Sequence, residues 1–263
     1  MVLPQKKLSV IVPSLNEAEN LPSLLDRLAK YATSGEILET IIVDDSSDDN
    51  TLEAAEALSH QYPELGVRTV TRPKPRKGYG AVVRFGMEHA IGRYCVIVNA
   101  DGVDPIELLP FFVKHLEEGA RLVQCSRTAD QSESNSIPFT YRFYQRLFRI
   151  AQRFLLGSPP LDSTYSFKAF DRELLTRIGL ASNGFSVSPE IAFKVYLCGE
   201  RVQSVPGGHG VRRHGVSKFR FRKEGYGYLR VLLRAGLHRL GFKWFDYRND
   251  HFGSGPKRAG SIT

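Results

Sequence analysis

Residues 9–21 read SVIVPSLNEAENL, and residues 41–51 read IIVDDSSDDNT. Both are short β-branched apolar runs that stop at a polar cluster and give way to a helical pattern. Leu8 to Val12 is a buried strand closed by Pro13. Asn20 then precedes Leu21, Leu24, Leu25, Leu28 and Tyr31, the spacing of one helical face, with Pro22 tolerated in the first turn. Ile37 to Val43 is a second strand that runs into Asp44-Asp45-Ser46-Ser47-Asp48-Asp49. Asn50-Thr51-Leu52-Glu53 has the spacing of a capping box, which predicts a helix through about Tyr62.

The same unit recurs outward from this pair. Val67 to Thr71 is a third strand, followed by the basic loop Arg72 to Gly78, a helix carrying Ala81, Val82, Phe85 and Ala90, and the strand Tyr94 to Val98. Strands alternating with helices predict an α/β fold with a mostly parallel sheet covered on both faces. Ligands of such sheets lie outside the carboxyl ends of the strands. Pro13 to Glu17, Asp44 to Asp49 and Asn99 to Asp104 should therefore converge on one crevice. A further helix is expected from Ile106 to Glu118, then a strand from Leu122 to Cys125 ending in Ser126-Arg127, and a polar, mobile loop from Thr128 to Ser136.

The composition of the 263 residues, 42% hydrophobic and 24% charged, excludes a disordered chain, a collagen and a short disulfide scaffold. Cys95, Cys125 and Cys198 are too few and too scattered for a disulfide framework or a zinc site, which favours a reducing, cytoplasmic setting. No apolar run is long enough for a signal peptide or a membrane span. The net charge of +8 is uneven: residues 201–263 hold 14 Lys and Arg against 3 Asp and Glu, and the first 200 hold 22 against 25. A basic C-terminal quarter on an acidic body points to an anionic partner such as a membrane surface, a phosphorylated substrate or nucleic acid.

A crevice lined by Glu17, Asp44, Asp45, Asp101 and Asp104 accepts an anion only together with a divalent cation. Mg²⁺ takes one or two carboxylates and completes its shell with water and phosphates, so Asp101, flanked by Asn99 and Asp104, is the candidate metal ligand. Gly78-Tyr79-Gly80 is no dinucleotide fingerprint and follows a loop instead of a strand, and a Walker lysine motif is missing, which argues against nicotinamide and P-loop enzymes.

These two stretches, with KGYGAVVRFGMEHAIGRYCVIVNADGVDP at 77–105 and DSTYSFKAFDRELL at 162–175, resemble the family 2 glycosyltransferases of the GT-A fold, and within them the dolichol-phosphate mannose synthase and polyprenol-phosphate glycosyltransferase group. The likeness covers about residues 8–218. It implies that Pro13, Leu15, Glu17, Asp44, Asp45, Lys77, Gly78, Asn99, Ala100 and Asp101 hold a nucleotide sugar, and that Asp101 is the surviving carboxylate of an Asp-x-Asp motif binding Mg²⁺ or Mn²⁺. It implies phosphate contacts for Arg127, and places Arg212 and Lys218, in an R-x-x-G-x-S-K element, on the diphosphate or acceptor phosphate.

The departures are Asn99 for the first Asp of that motif, Val103 for the family's Gln, and Leu15 for the usual aromatic residue. Loss of one carboxylate is expected to weaken metal binding, with Asp104 or the nucleotide phosphates in compensation. A phosphate-monoester acceptor, with a second pKa of about 6, is already an anionic nucleophile and needs no protein base. A hydroxyl acceptor needs one, and Glu190 is the candidate; the alternative for Glu190 is a structural carboxylate in a helix's first turn.

Two basic amphipathic stretches remain. One interleaves Arg142, Arg146, Arg149 and Arg153 with Phe139, Phe143, Leu147, Ile150, Phe154 and Leu155. The other, Leu229 to Phe245, sets Arg230, Arg234, Arg239 and Lys243 among leucines and aromatics. Such helices lie in the headgroup region of anionic membranes or pack on the body. The expected organisation is a GT-A domain over 1–218, a basic amphipathic segment over 219–252 and a disordered tail over 253–263. The expected activity is inverting transfer of one sugar from GDP-mannose or a UDP-hexose to a polyprenyl or dolichyl phosphate at the cytoplasmic membrane face, with room for a small membrane protein partner and none for nucleic acid. The alternatives are a soluble family 2 glycosyltransferase acting on a hydroxyl of a glycan or metabolite, and a catalytically impaired nucleotide-sugar-binding protein.

Overall fold

The computed structural model describes residues 7–32, 36–73, 75, 78–127, 139–157, 162–208, 210, 212 and 221–247, the side chains at 32, 139–143 and 221–223 excepted. The expected loop 128–136, Lys77, Lys218 and the tail 253–263 lie outside the described residues.

The elements run β1 (Leu8–Ser14), α1 (Leu21–Ala32), β2 (Ile37–Asp44), α2 (Thr51–Gln61), β3 (Val67–Thr71), α3 (Tyr79–His89), β4 (Tyr94–Ile97), α4 (Leu109–Glu117), β5 (Leu122–Ser126), α5 (Phe139–Leu156), β6 (Lys168–Asp171), α6 (Arg172–Ile178), α7 (Val187–Leu197), β7 (Val202–Pro206) and α8 (Phe221–Arg239). The seven strands form one sheet in the order β3-β2-β1-β4-β6-β5-β7. Every pairing is parallel except those of β6, which runs antiparallel to β4 and β5.

Alternation along the strands divides the core in two, as the two-residue period of a strand requires. Val10, Val12, Ile42 and Val96 face α1, α2 and α4, meeting Leu21, Leu24, Leu58 and Phe112. Ile11, Ile41, Val43 and Ile97 face the other layer, meeting Val82 and Val83 of α3, Ile191 of α7 and Leu232 of α8. Helices thus cover both faces, as the strand–helix alternation predicts. Helix α3 comes close to the sheet at Gly86, where a Cβ would stand 2.5 Å from Ile11 Cγ2 and 2.9 Å from Val43 Cγ2.

Three local expectations are corrected. Asn50 makes no side-chain cap on α2; Asp49 takes that place, its Oδ1 accepting from the Thr51 amide at 3.0 Å. Ile106–Leu108 is a 3-10 turn, and α4 starts only at Leu109, with Pro110 in its first turn. The helix expected over 229–245 begins at Phe221 and stops at Arg239, because Gly241 takes a φ of 101° that reverses the chain. Trp244 and Phe245 then fold back over Lys194, whose ammonium lies 5.0 and 5.3 Å from their ring centres.

Candidate active site

The ends of β1 and β2 are stitched together by hydrogen bonds between their loops. Asn16 and Ser46 both hold left-handed backbone, with φ of 53° and 59°, which turns each loop back toward the other. The Asn16 amide donates to Ser47 Oγ at 2.9 Å, the Asp48 amide donates to Asn16 Oδ1 at 2.8 Å, and the Glu17 amide donates to Thr51 Oγ1 at 2.9 Å. Pro13 and Leu15 are half-buried in this junction. Asp44 is fully buried and accepts from the Ser47 amide at 3.1 Å. Asp45 forms a buried ion pair with Arg72 at 2.7 Å, and Arg72 also donates to the Pro75 carbonyl at 2.7 Å.

The end of β4 is more elaborate than the sequence suggests. Asn99 donates through Nδ2 to Asp104 Oδ2 at 2.9 Å and Ser166 Oγ at 2.8 Å, and its Oδ1 accepts from the Tyr79 hydroxyl at 2.8 Å. Asp104 also accepts from the Asn99 amide at 2.6 Å and the Tyr165 hydroxyl at 2.7 Å. Burial, reinforced by the neighbouring Asp101 charge, raises its carboxyl to about 7 against the pull of these donors. Asp104 thus faces inward and holds the Asn99 turn from below.

Asp101 is the part of this loop that faces the crevice. Arg212 reaches it from the far end of the chain: Nη1 lies 3.5 Å from Asp101 Oδ2, while Nη2 lies 2.8 and 3.0 Å from the two oxygens of Glu17. The strand-end clusters expected to converge do so, and Arg212 clasps two of them. As a test of the metal set, Asn99 and Asp104 are taken up by one another, and the described residues include no group of three His, Cys, Asp or Glu placed for an ion. One carboxylate with phosphate oxygens and water is nevertheless within the usual coordination of Mg²⁺. Asp101 fits that role together with a nucleotide diphosphate.

Arg127 and Glu190 are both bound within the protein. Arg127 forms a bidentate pair with Asp162 at 2.7 and 3.0 Å and lies 4.3 Å from the Tyr165 ring centre. Burial alone would lower the guanidinium, but the Asp162 carboxylate more than offsets it and keeps the group charged. Glu190 accepts from the amides of Ala181 and Ser182 at 2.9 and 2.7 Å and pairs with Lys194 at 3.0 Å. Its geometry is that of the structural alternative: it shapes the loop between α6 and α7.

That loop explains the glycines at 78 and 80. The Gly80 amide donates to the Asn183 carbonyl at 2.7 Å, and a Cβ on Gly78 would come 2.8 Å from the same oxygen. Phe185 stacks on Tyr79 with ring centres 4.6 Å apart and planes 11° apart. Sequence reasoning singled out none of Tyr79, Tyr165, Ser166 or Phe185 as site residues. The only available signal was that Tyr79, Tyr165 and Ser166 fall inside two of the quoted motifs.

The seven-stranded, mostly parallel sheet is of the GT-A glycosyltransferase type, and Arg212 bridges the acidic ends of two of its strands. The profile of glycosyl transferase family 2 matches residues 9–179, and the chain belongs to that family. The dolichol-phosphate mannosyltransferase of Pyrococcus furiosus is 32% identical over 232 residues, covering 87% of this chain; this chain spans 63% of that protein's length. The polyprenol monophosphomannose synthase of Mycolicibacterium smegmatis is 30% identical over 223 residues, 82% of each chain. Among solved structures, glucosyl-3-phosphoglycerate synthase from Mycobacterium tuberculosis in complex with UDP superposes with a TM-score of 0.64 at 25% identity, covering 90% of this chain and 81% of its own. The same enzyme with Mn²⁺, UDP-glucose and phosphoglyceric acid has a TM-score of 0.63 at 23% identity and shares the fold.

Proposed function

We propose that this chain is an inverting glycosyltransferase that moves one sugar from a nucleotide donor to a polyprenyl or dolichyl phosphate at the cytoplasmic membrane face. The observation that carries the reading is the Arg212 clasp on Glu17 and Asp101, a cationic group held among acidic strand ends where a diphosphate and its cation would enter. Glu17 and the Asp44–Asp45 turn border the nucleoside, and Lys77 and Gly78 contribute to binding the nucleotide sugar. Asp101 would hold Mg²⁺ or Mn²⁺, which supplies charge neutralisation to the leaving nucleoside diphosphate. Arg212 and Lys218 orient the phosphates, whose non-bridging oxygens match the arginine fork. Arg127, expected to contact phosphate, is paired with Asp162 and acts there as a fixed positive charge.

The bonding of Glu190 supports a phosphate acceptor. Glu190, the base that a hydroxyl acceptor would call on, is already bonded to two amides and Lys194. A phosphate monoester brings its own anionic nucleophile. The relatives named for dolichol-phosphate and polyprenol-phosphate transfer support the same class.

The outer faces of α5 and α8 support a membrane surface. Tyr144, Leu147, Ile150 and Phe154 of α5 and Leu229, Leu233 and Leu237 of α8 are exposed, with Phe154 87% accessible, while Val231, Leu232 and Ala235 of α8 are buried in the body. Each helix thus packs one apolar side inward and turns a second one outward beside exposed Arg146, Arg153, Arg230 and Arg234. Among the described residues no helix is long and apolar enough to cross a membrane. The test is transfer from labelled GDP-mannose or UDP-glucose to a short-chain polyprenyl phosphate with Mg²⁺ or Mn²⁺. Label in the lipid extract supports the reading, whereas label confined to water-soluble glycan or released only as free sugar overturns it.

A further inference from the structure

The N-terminal turns of α8 are linked to the candidate site by three contacts in series, of which the first is made by α8 itself. Glu224 Oε2 accepts from the Phe185 amide at 2.9 Å. Phe185 stacks on Tyr79, and the Tyr79 hydroxyl donates to Asn99, two residues from Asp101. Glycines make the approach possible: a Cβ on Gly184 would come 2.7 Å from Glu224 Oε2, and one on Gly227 would come 3.1 Å from Ser186 Oγ. The Asn183 carbonyl of the same loop caps α3 through the Gly80 amide. One carboxylate on α8 therefore fixes the backbone that carries the aromatic wall beside Asn99 and Asp101.

The same helix turns Leu229, Leu233 and Leu237 to solvent next to Arg230 and Arg234. An apolar stripe fringed by arginine is complementary to an anionic bilayer. We infer that Glu224 is a positioning residue that couples seating of α8 on an anionic lipid surface to binding of the nucleotide sugar. This rests on the glycosyltransferase reading above and adds to it a regulation of the same site. A ligand that orders the Phe185–Tyr79 wall favours the α8 position that Glu224 imposes, and a surface that seats α8 favours the ordered wall. The effect must be reciprocal, because each binding event shifts the other by one common factor.

The experiment measures the dissociation constant of GDP-mannose and of UDP-glucose, with Mg²⁺, on the full chain with and without vesicles of phosphatidylcholine and phosphatidylglycerol. For whichever donor binds, vesicles are expected to tighten binding by about fivefold or more, the lower end of usual coupling. The donor should raise vesicle partition by the same factor. In Glu224→Ala the ratio of the two constants should fall to about one. Glu224→Gln keeps an oxygen for the Phe185 amide and should retain the coupling. The ratio is insensitive to a general loss of stability, and Phe185→Leu, which removes the stack and keeps the amide, gives a second route to the same loss. Donor affinity in the wild type that ignores vesicles, or coupling that survives both Glu224→Ala and Phe185→Leu, overturns the inference and leaves the transferase reading standing. A wild type that binds neither donor overturns both.

Discussion

The side-chain amide of Asn99 donates to both oxygens of Asp104, at 2.9 and 3.2 Å, while its own oxygen accepts from Tyr79. An ionised Asp104 can only accept, which turns the Asn99 nitrogen toward it. Restoring the family's carboxylate with Asn99→Asp would remove the donor and set two carboxyls against each other in a site that already pushes Asp104 up to about 7. The expected outcome is a loss on the order of 1–3 kcal/mol in stability and no gain in metal affinity. Thermal unfolding and Mn²⁺ titration in the presence of nucleotide check it. A more stable variant with tighter Mn²⁺ binding would show that Asn99 faces the metal.

How far the sequence reaches depends on whether a residue answers to a local rule. The β1–α1–β2–α2–β3–α3–β4 run was legible because each strand shows an apolar run ended by polar residues and each helix a periodic face. Strand β6 was not, since its four residues Lys168–Asp171 include a fully buried lysine, and only pairing with β4 and β5 makes them a strand. Strand β7 reads VQSVP, with only two β-branched residues to mark it where β3 has four. In the site, Asp101, Glu17 and Arg212 were legible as charges at motif positions. The hold of Tyr165 on Asp104 and the bonding of Arg127 to Asp162 join residues 61 and 35 positions apart, which no local pattern encodes.

Arg212 pairs with Glu17 at 2.8 Å and with Asp101 at 3.5 Å. Mn²⁺ alone must displace it from Asp101, whereas Mn²⁺ with a nucleoside diphosphate offers the guanidinium a replacement partner. Wild-type protein is therefore expected to bind Mn²⁺ far more weakly without nucleotide than with it. Arg212→Gln should bind Mn²⁺ more tightly in the absence of nucleotide while losing donor affinity. Electron paramagnetic resonance of free Mn²⁺ separates these arms, and equal nucleotide-free affinity in the two proteins would rule out the competition.

Lys168 is fully buried under the Asp162–Tyr165 loop and donates to the Tyr165 carbonyl and, at 3.4 Å, to that of Asp162. Burial lowers its ammonium from 10.5 to about 7, with the Asp162 charge opposing. The sign follows from proton counting. Between about pH 7 and about 10.5 the unfolded chain binds the proton and the folded chain does not, so stability rises with pH through that window. The slope is on the order of 1 kcal/mol per pH unit. Urea midpoints near neutral pH and about two units above it should differ in the wild type and converge in Lys168→Met. An unchanged pH slope in Lys168→Met would place the proton on another group.

The lipid surface makes a last demand on α8. Arg230 and Arg234 stand one turn apart, both exposed, beside Leu229 and Leu233, and neither reaches the strand-end crevice where Arg212 lies. Arg239 differs, because its Nη1 donates to the Leu155 carbonyl at 3.3 Å and joins α8 to α5. Changing Arg230 and Arg234 together to Gln should therefore leave folding and transfer to a short-chain, soluble acceptor close to wild type. Binding to anionic vesicles should weaken by about 2 kcal/mol, roughly thirtyfold, at about 1 kcal/mol per basic residue near the surface. High salt should imitate the double change, because exposed charges are screened beyond a Debye length of about 8 Å at physiological ionic strength and less above it. Leu233→Ser and Leu237→Ser should weaken vesicle binding at every salt concentration, because buried apolar area does not respond to screening. Co-sedimentation at low and high salt distinguishes the two contributions. Vesicle binding that survives both sets of substitutions would assign the outward faces of α5 and α8 to something other than a bilayer.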